Sequence, residues 1–307
     1  MRTVTTITEV RAACDAWRRD GATVGLVPTM GAFHAGHRSL MERAHAECDR
    51  VVVSLFVNPT QFAPEEDLDA YPRDLDGDRA TAESADADLL FAPAVAEMYP
   101  EPGCTTVHVA GLTERLCGAD RPTHFDGVTT VVAKLFSIVG PCHAYFGRKD
   151  AQQLAVVRRM TRDLDLPVEV VGCPLVREPD GLAMSSRNAY LSPAERVSAL
   201  ALSRSLQAGA DAVARGSRDP VAVRAEITDV IERDPAVRLD YVEVADPVTL
   251  EPRPALDGAS LVAVAARVGP ARLIDNMTLV VDGGTVTADL GVTVEAGRYV
   301  PVARIAP

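Results

Sequence analysis

The chain has 307 residues, 47% of them hydrophobic, and a formal net charge of −12. That length gives one large domain or two modest ones with proper cores. The negative charge excludes a broad polyanion-binding surface, so no nucleic-acid partner is expected, and an anionic ligand must meet a local cluster of positive charge. No run approaches the ~18 apolar residues of a membrane span, and the first ten residues, MRTVTTITEV, lack the basic-then-apolar layout of a signal peptide. Six cysteines without a C-x-x-C pair suggest neither a zinc site nor a disulfide framework. The expectation is a cytoplasmic protein with reduced, mostly buried thiols and no membrane partner.

An apolar run at 23–27 predicts a strand, the pattern over 37–48 a helix, and 51–57 a buried strand. This βαβ opening is followed by a helix over 74–85, a strand at 89–92, a helix over 128–139, a strand at 144–147 and a helix over 151–165. Such alternation implies a mostly parallel sheet covered on both faces. After a strand at 168–176 the texture changes to a polar loop, REPDGLAMSSRN, and then Ala-rich helices between 193 and 233. Strands at 239–245, 260–267 and 272–281 follow. The expected organisation is a Rossmann-like α/β domain over 1–176 and a smaller α+β lid domain over 177–281. Residues 282–307 open with Gly283-Gly284 and form an extra strand or a loose tail of no assigned role.

Rare residue types are informative because the chain is biased towards Arg and Ala. Only Lys134 and Lys149 among 31 basic residues are lysine, and there are three Asn and four Gln. Four constellations stand out. PTMGAFHAGH, residues 28–37, ends the first strand and leads into a helix, where open α/β sheets bind ligands and helix N-termini welcome phosphate. Gly31 and Gly36 allow close approach, and His34 and His37 face one side of a turn. The pair has three readings: metal ligands lacking an obvious third donor, a structural pair capping the helix, or imidazoles that hydrogen-bond phosphate oxygens. SLFVNPTQF, residues 54–62, puts Asn58 and Gln61 beyond the second strand. Asn-Pro alone is a turn signal, whereas amides suit a hydroxyl or carboxylate in a substrate pocket.

YFGRKDAQQ, residues 145–153, places Lys149 and Asp150 at another strand end, with Gln152 and Gln153 behind them. Lysine there suits a mobile phosphate contact, against the plainer reading of an exposed Lys-Asp cap in which Asp150 is the N-cap. DGLAMSSRN, residues 180–188, offers Ser185, Ser186 and Arg187 to close over a triphosphate. Alone that loop is weak evidence; its recurrence beside three other strand-end motifs gives it value.

The H-x-G-H loop resembles the nucleotidylyltransferase and class I aminoacyl-tRNA synthetase superfamily. PTMGAFHAGH, FVNPTQF, AYPRDLDGD, RPTHFDGVTTVVAKLF, YFGRKDAQQ and DGLAMSSRNAYLS, in that order, closely resemble the pantoate–β-alanine ligases over residues 1–277. That resemblance implies condensation of (R)-pantoate with β-alanine, using ATP and Mg²⁺, through a pantoyl adenylate, with release of AMP and pyrophosphate. By the same resemblance Met30, Gly31, His34, Gly36 and His37 hold ATP, with His37 the proton donor. Gly147, Arg148, Lys149 and Asp150 border the nucleotide, Lys149 reaching phosphate and Asp150 the ribose, with Val176 against adenine. Met184, Ser185, Ser186 and Arg187 form the mobile signature loop. Gln61, Gln153 and Asn58 bind pantoate or β-alanine, and a homodimer is the family's habit.

Phe33 and Arg38 depart from the usual Leu at both places, and Gly77 replaces an acid, which makes Asp78 a weak metal candidate. Two other readings remain: a nucleotidylyltransferase that keeps the nucleotide on a phosphate-ester acceptor, and a catalytically silent nucleotide-binding module.

Overall fold

The computed structural model describes residues 1–101, 103–295 and 298–302. They divide into two compact units, Met1–Arg148 with Gln152–Cys173, and Lys149–Ala151 with Pro174–Pro307.

The first unit contains β1 (Arg2–Val4), α1 (Ile7–Arg19), β2 (Val24–Thr29), α2 (Ala35–Glu47), β3 (Arg50–Leu55), α3 (Leu75–Ser84) and β4 (Leu89–Phe91). It continues with α4 (Val95–Met98), α5 (Cys117–Asp120), α6 (His124–Val139), β5 (Cys142–Gly147), α7 (Ala151–Asp163) and β6 (Val168–Cys173). The strands form one six-stranded sheet in the order β1-β4-β3-β2-β5-β6, parallel at every pairing. Continuous apolar runs make strands of this kind because both faces are covered. Val51 and Val53 of β3 lie in one core cluster with Met41 and Ala44 of α2. Each large side chain so buried contributes about 1.5–3 kcal/mol. Strand order reverses between β2, whose other neighbour is β3, and β5. Ligands bind at such a switch point, outside the carboxyl ends of the strands.

The second unit holds β7 (Val176–Arg177), α8 (Pro193–Ala214), α9 (Pro220–Glu232), β8 (Val237–Ala245), β9 (Gly258–Val268), β10 (Ala271–Asp282), β11 (Thr285–Asp289), β12 (Val292–Glu295) and β13 (Arg298–Pro301). An antiparallel sheet β11-β10-β9-β8 packs against α8 and α9, with Leu202, Leu206, Ile227 and Val264 all fully covered. Helix α8 starts sharply: Ser192 and Glu195 make a reciprocal capping box, and Pro193 takes the first helical position. A second small sheet, β13-β12-β7, completes the unit.

The single strand expected over 168–176 is two, in different sheets. Pro174 has no N–H to donate, so the apolar run cannot continue one ladder through it. After 281 the described residues include the strands Thr285–Asp289, Val292–Glu295 and Arg298–Pro301. Gly283 and Gly284, with φ of +53° and +97°, supply the two left-handed residues that a tight β10–β11 hairpin requires.

Candidate active site

Helix α2 begins at the carboxyl end of β2, and His34 is its N-cap, with extended φ −131° and ψ 177°. The His34 Nδ1 accepts from the Gly36 N–H at 3.1 Å, and the His37 Nδ1 accepts from the His34 N–H at 3.4 Å. The two rings lie 4.1 Å apart between centroids. Both Nδ1 atoms serve as acceptors, so each neutral imidazole carries its proton on Nε2. The capping and functional readings of the pair are therefore compatible: the caps fix the tautomer that keeps Nε2–H as a donor. The Phe33 ring, larger than the usual leucine, lies tilted against His37, 5.5 Å between centroids. Arg38 pairs with Glu42 along the helix at 2.7 Å.

The turn before the helix is strained. Gly31 has φ +91° and Ala32 φ +52°, the latter costly for a residue with a Cβ. Asp78, only 3% exposed, holds this turn from α3: its carboxylate accepts from the Ala32 N–H at 2.9 Å and the Phe33 N–H at 2.6 Å. A Cβ at residue 31 would lie 2.8 Å from the nearer Asp78 oxygen. Burial pushes the Asp78 carboxyl above its ordinary 3.8, and the two N–H donors pull the other way. Gly77 leaves room for the helix cap, since a Cβ there would lie 2.3 Å from the Asp74 carboxylate that accepts from the Gly77 N–H.

Asp78 is thus committed to the backbone rather than to a metal. Among the described residues, no group of three or more His, Cys, Asp or Glu could hold a metal ion. With no such group, a Mg²⁺ here would be held by phosphate oxygens and water rather than by a protein cage.

Strand β3 ends beside β2, and the Pro59–Gln61 turn, with Asn58 as its N-cap, brings the two expected amides. Asn58 is 1% exposed. Its Nδ2 donates to the Gly127 carbonyl and to the Gln61 Oε1, both at 3.1 Å. Its Oδ1 accepts from the Tyr99 hydroxyl and the Thr60 hydroxyl, both at 2.9 Å. Both polar atoms of Asn58, a residue expected at the substrate pocket, have partners inside the protein. A carbonyl can only accept, so Gly127 fixes which end of Asn58 is the donor. That in turn makes the Gln61 oxygen an acceptor and turns its Nε2 towards the Met30 sulfur, 3.0 Å away. The Gln61 carbonyl is gripped by His124 at 2.8 Å and Arg121 at 3.3 Å, and Arg121 forks onto Glu66. Helix α6 packs so close that a Cβ on Gly127 would sit 2.3 Å from the Thr60 carbonyl.

Strand β5 delivers Gly147 and Arg148 to the same edge. Gln152 is 6% exposed and is used up on the Leu112 and Arg115 carbonyls and the Cys117 N–H. Gln153 follows on α7, half-buried. The first unit therefore gathers Met30, Gly31, His34, Gly36, His37, Gln61 and Gly147 at the ends of the adjacent strands β3, β2 and β5.

In the second unit Lys149 lies 3.8 Å from Asp150, and its carbonyl accepts from the Asn276 Nδ2 at 2.8 Å. Val176 is buried at 5% exposure, and its carbonyl accepts from the Met184 N–H at 2.9 Å. Ser185 caps the short turn Ser186–Tyr190, accepting from the Arg187 N–H. The supporting role of Tyr99 had no signal in local sequence, whereas Asp78 ends the AYPRDLDGD motif and Arg121 and His124 lie in the RPTHFDG motif.

A family model described as pantoate–β-alanine ligase matches residues 2–278. The chain belongs to the pantoate–β-alanine ligase family. Among its relatives, a pantothenate synthetase of Heliobacterium modesticaldum is 56% identical over 91% of this chain and 99% of its own. That of Thermotoga neapolitana is 53% identical over 91% and 100%. The crystal structure of pantothenate synthetase from Thermus thermophilus matches with a TM-score of 0.85 at 51% identity, covering 90% of this chain and 98% of that one. A pantoate–β-alanine ligase from Francisella tularensis, solved with β-γ ATP and β-alanine, matches at TM-score 0.73 and 30% identity over 90% and 97%. Like these ligases, the chain joins an α/β nucleotidylyltransferase-like sheet to a second unit built on antiparallel sheet.

Proposed function

We infer that this chain catalyses the ATP-dependent ligation of pantoate to β-alanine through a pantoyl adenylate. The observation that carries the reading is the His34–His37 pair, whose Nδ1 atoms are both occupied by backbone N–H groups at a helix N-terminus on the switch point. Two Nε2–H donors and a helix dipole suit charge that develops on an α-phosphate.

Pantoate is ionised at neutral pH, so its carboxylate oxygen attacks the α-phosphorus without a base. The bond from that phosphorus to the bridging oxygen breaks, and pyrophosphate leaves with the electron pair. The β-alanine amine then attacks the acyl carbon, AMP departs, and the amine loses a proton as the amide forms. Positioning and charge stabilisation are the protein's tasks. His34 and His37 donate to phosphate, with Met30, Gly31, Gly36, Gly147 and Arg148 lining the nucleotide. Gln61 and Gln153 take the pantoate hydroxyls and carboxylate. From the second unit Lys149 supplies charge to phosphate, Asp150 the ribose contact, Val176 an apolar surface for adenine, and Met184, Ser185, Ser186 and Arg187 the mobile loop. ATP enters as its Mg²⁺ complex. A homodimer is proposed from family habit, to be checked by light scattering. No helix of the described residues is long and apolar enough to cross a membrane.

The test is exchange of labelled pyrophosphate into ATP with pantoate and without β-alanine. We expect exchange that His34→Ala or Lys149→Ala lowers by orders of magnitude. Its absence in the unaltered protein would refute the adenylate route.

A further inference from the structure

The family match ends at residue 278, yet the chain goes on into ordered sheet. Val286, Ala288 and Leu290 are buried within the core of the second unit. Beyond them β12 runs parallel to β7, pairing Val292 with Val176 and Thr293 with Arg177. The Val292 N–H donates to the Leu175 carbonyl at 2.8 Å, and the Val302 N–H returns to the Gly291 carbonyl at 3.0 Å. Gly291 makes this approach feasible: its φ is +94°, and a Cβ there would lie 2.2 Å from the Leu175 oxygen.

The strand so covered leads directly into the signature loop. β7 is only two residues long, and its other side is held by the return of Ala183 against Arg177 and by the Met184 N–H on Val176. Arg177, 2% exposed, is the centre of the arrangement. Its Nε donates to the Leu290 carbonyl at 2.6 Å, its Nη1 to the Gly181 carbonyl at 3.0 Å, and its two Nη atoms fork onto Asp275 at 2.7 and 2.9 Å. Asp275 also accepts from the Asn276 N–H at 2.7 Å, and the Asn276 amide holds the Lys149 carbonyl. A guanidinium is planar, so fixing its Nε edge fixes the directions of all its donors.

We propose that residues 285–295 and 298–302 are a brace for the ATP loop: β12 and the Leu290 carbonyl fix β7 and Arg177, and thereby the base of residues 184–187 and the backbone of Lys149. The inference rests on reading that loop as an ATP contact. A loop held near its working conformation has less entropy to lose on binding, so the brace lowers the KM for ATP and leaves the chemistry of the adenylated acid unchanged.

Two variants of the full chain test it. Val292→Pro removes the N–H that donates to the Leu175 carbonyl, and Gly291→Val drives a side chain into the same carbonyl. Hydrogen exchange of the 183–188 amides should quicken at least tenfold while the β9 amides stay protected. The KM for ATP should rise severalfold, with kcat at saturating ATP and the KM for β-alanine unchanged. If Gly291→Val fails to fold, the milder Val292→Pro decides. A lowered melting temperature with loop exchange and the KM for ATP both unaltered would overturn the proposal, as would no change at all. Faster loop exchange with an unaltered KM would keep the brace and refute the loop's role in binding ATP.

Discussion

Asp78→Asn is the sharpest probe of how the paired-histidine loop is held. The native carboxylate accepts from two backbone N–H groups, at 2.9 and 2.6 Å, in a turn with two left-handed residues. An asparagine keeps one acceptor and turns an NH₂ towards the other N–H, losing one hydrogen bond to a charged group. Such a bond contributes about 1.5–3 kcal/mol. If the whole loss falls on the transition state, pyrophosphate exchange drops roughly 10- to 150-fold, at about 1.4 kcal/mol per decade. The variant should leave the Mg²⁺ concentration for half-maximal exchange unaltered, since the carboxylate is bound to backbone. The pH profile gives a second readout. Burial raises the Asp78 carboxyl above 3.8, so as the pH falls the anchor is protonated earlier than an ordinary aspartate. An acid limb from this group should vanish in the Asn variant. Exchange at the wild-type rate, or a raised Mg²⁺ requirement, would refute the reasoning.

Asn58→Ala should raise the KM for pantoate about tenfold, because the Gln61 amide oxygen loses its Asn58 donor, about 1 kcal/mol or more; steady-state kinetics with varied pantoate check it. Burial pushes the Cys14 and Cys173 thiols up to about 11 and Cys142 to about 12, and the Cys48 thiol upward as well. An aromatic disulfide reagent at pH 8 should therefore titrate exposed Cys104 fast, half-buried Cys117 more slowly, and these four only after denaturation. Burial opposes ionisation of Glu66, but Arg121 and the Ala63 N–H outweigh it and hold the carboxyl below 4.5. Its stabilisation is present above 4.5 and lost as the pH falls through the lower folded value, so Glu66→Gln should flatten the acid side of a melting-temperature profile. Asp275→Ala leaves the buried Arg177 unpaired and should cost about 3–5 kcal/mol in denaturant unfolding.

The sheet was legible because both of its faces are covered, which leaves uninterrupted apolar runs such as Val51–Val53 for anyone to read. The break at Pro174 was equally written in the chain, but the apolar residues on either side of it outweighed one missing donor. Residue scarcity pointed to a demand on Asn58, and part of that demand is internal, set by Gly127 and Tyr99, which lie 69 and 41 residues away. Asp78 was visible only as an acid near a metal motif. Its real partners, Ala32 and Phe33, are 46 and 45 residues away, and no local pattern encodes such a pairing. The strand at Thr285–Asp289 does carry alternation, with Val286 and Ala288 inward, but five residues are too few to separate a strand from a tail.

A common device recurs in each unit. Pantoate brings its own nucleophile, so nothing here must generate one, and the holding groups act on backbone and amide orientation instead. Asp78 pins the N–H groups of the turn before His34, Asn58 sets which end of Gln61 is a donor, His124 and Arg121 grip the Gln61 carbonyl, and Asn276 holds the Lys149 carbonyl. Misplacement by about 1 Å costs on the order of a hundredfold in rate when catalysis rests on positioning. The residues that hold should then matter nearly as much as those that touch, and their loss should change KM or kcat while leaving the neutral-pH profile in place. Asp78 departs from that rule only on the acid side, because among these holders it alone is a carboxylate working in a site that disfavours its charge.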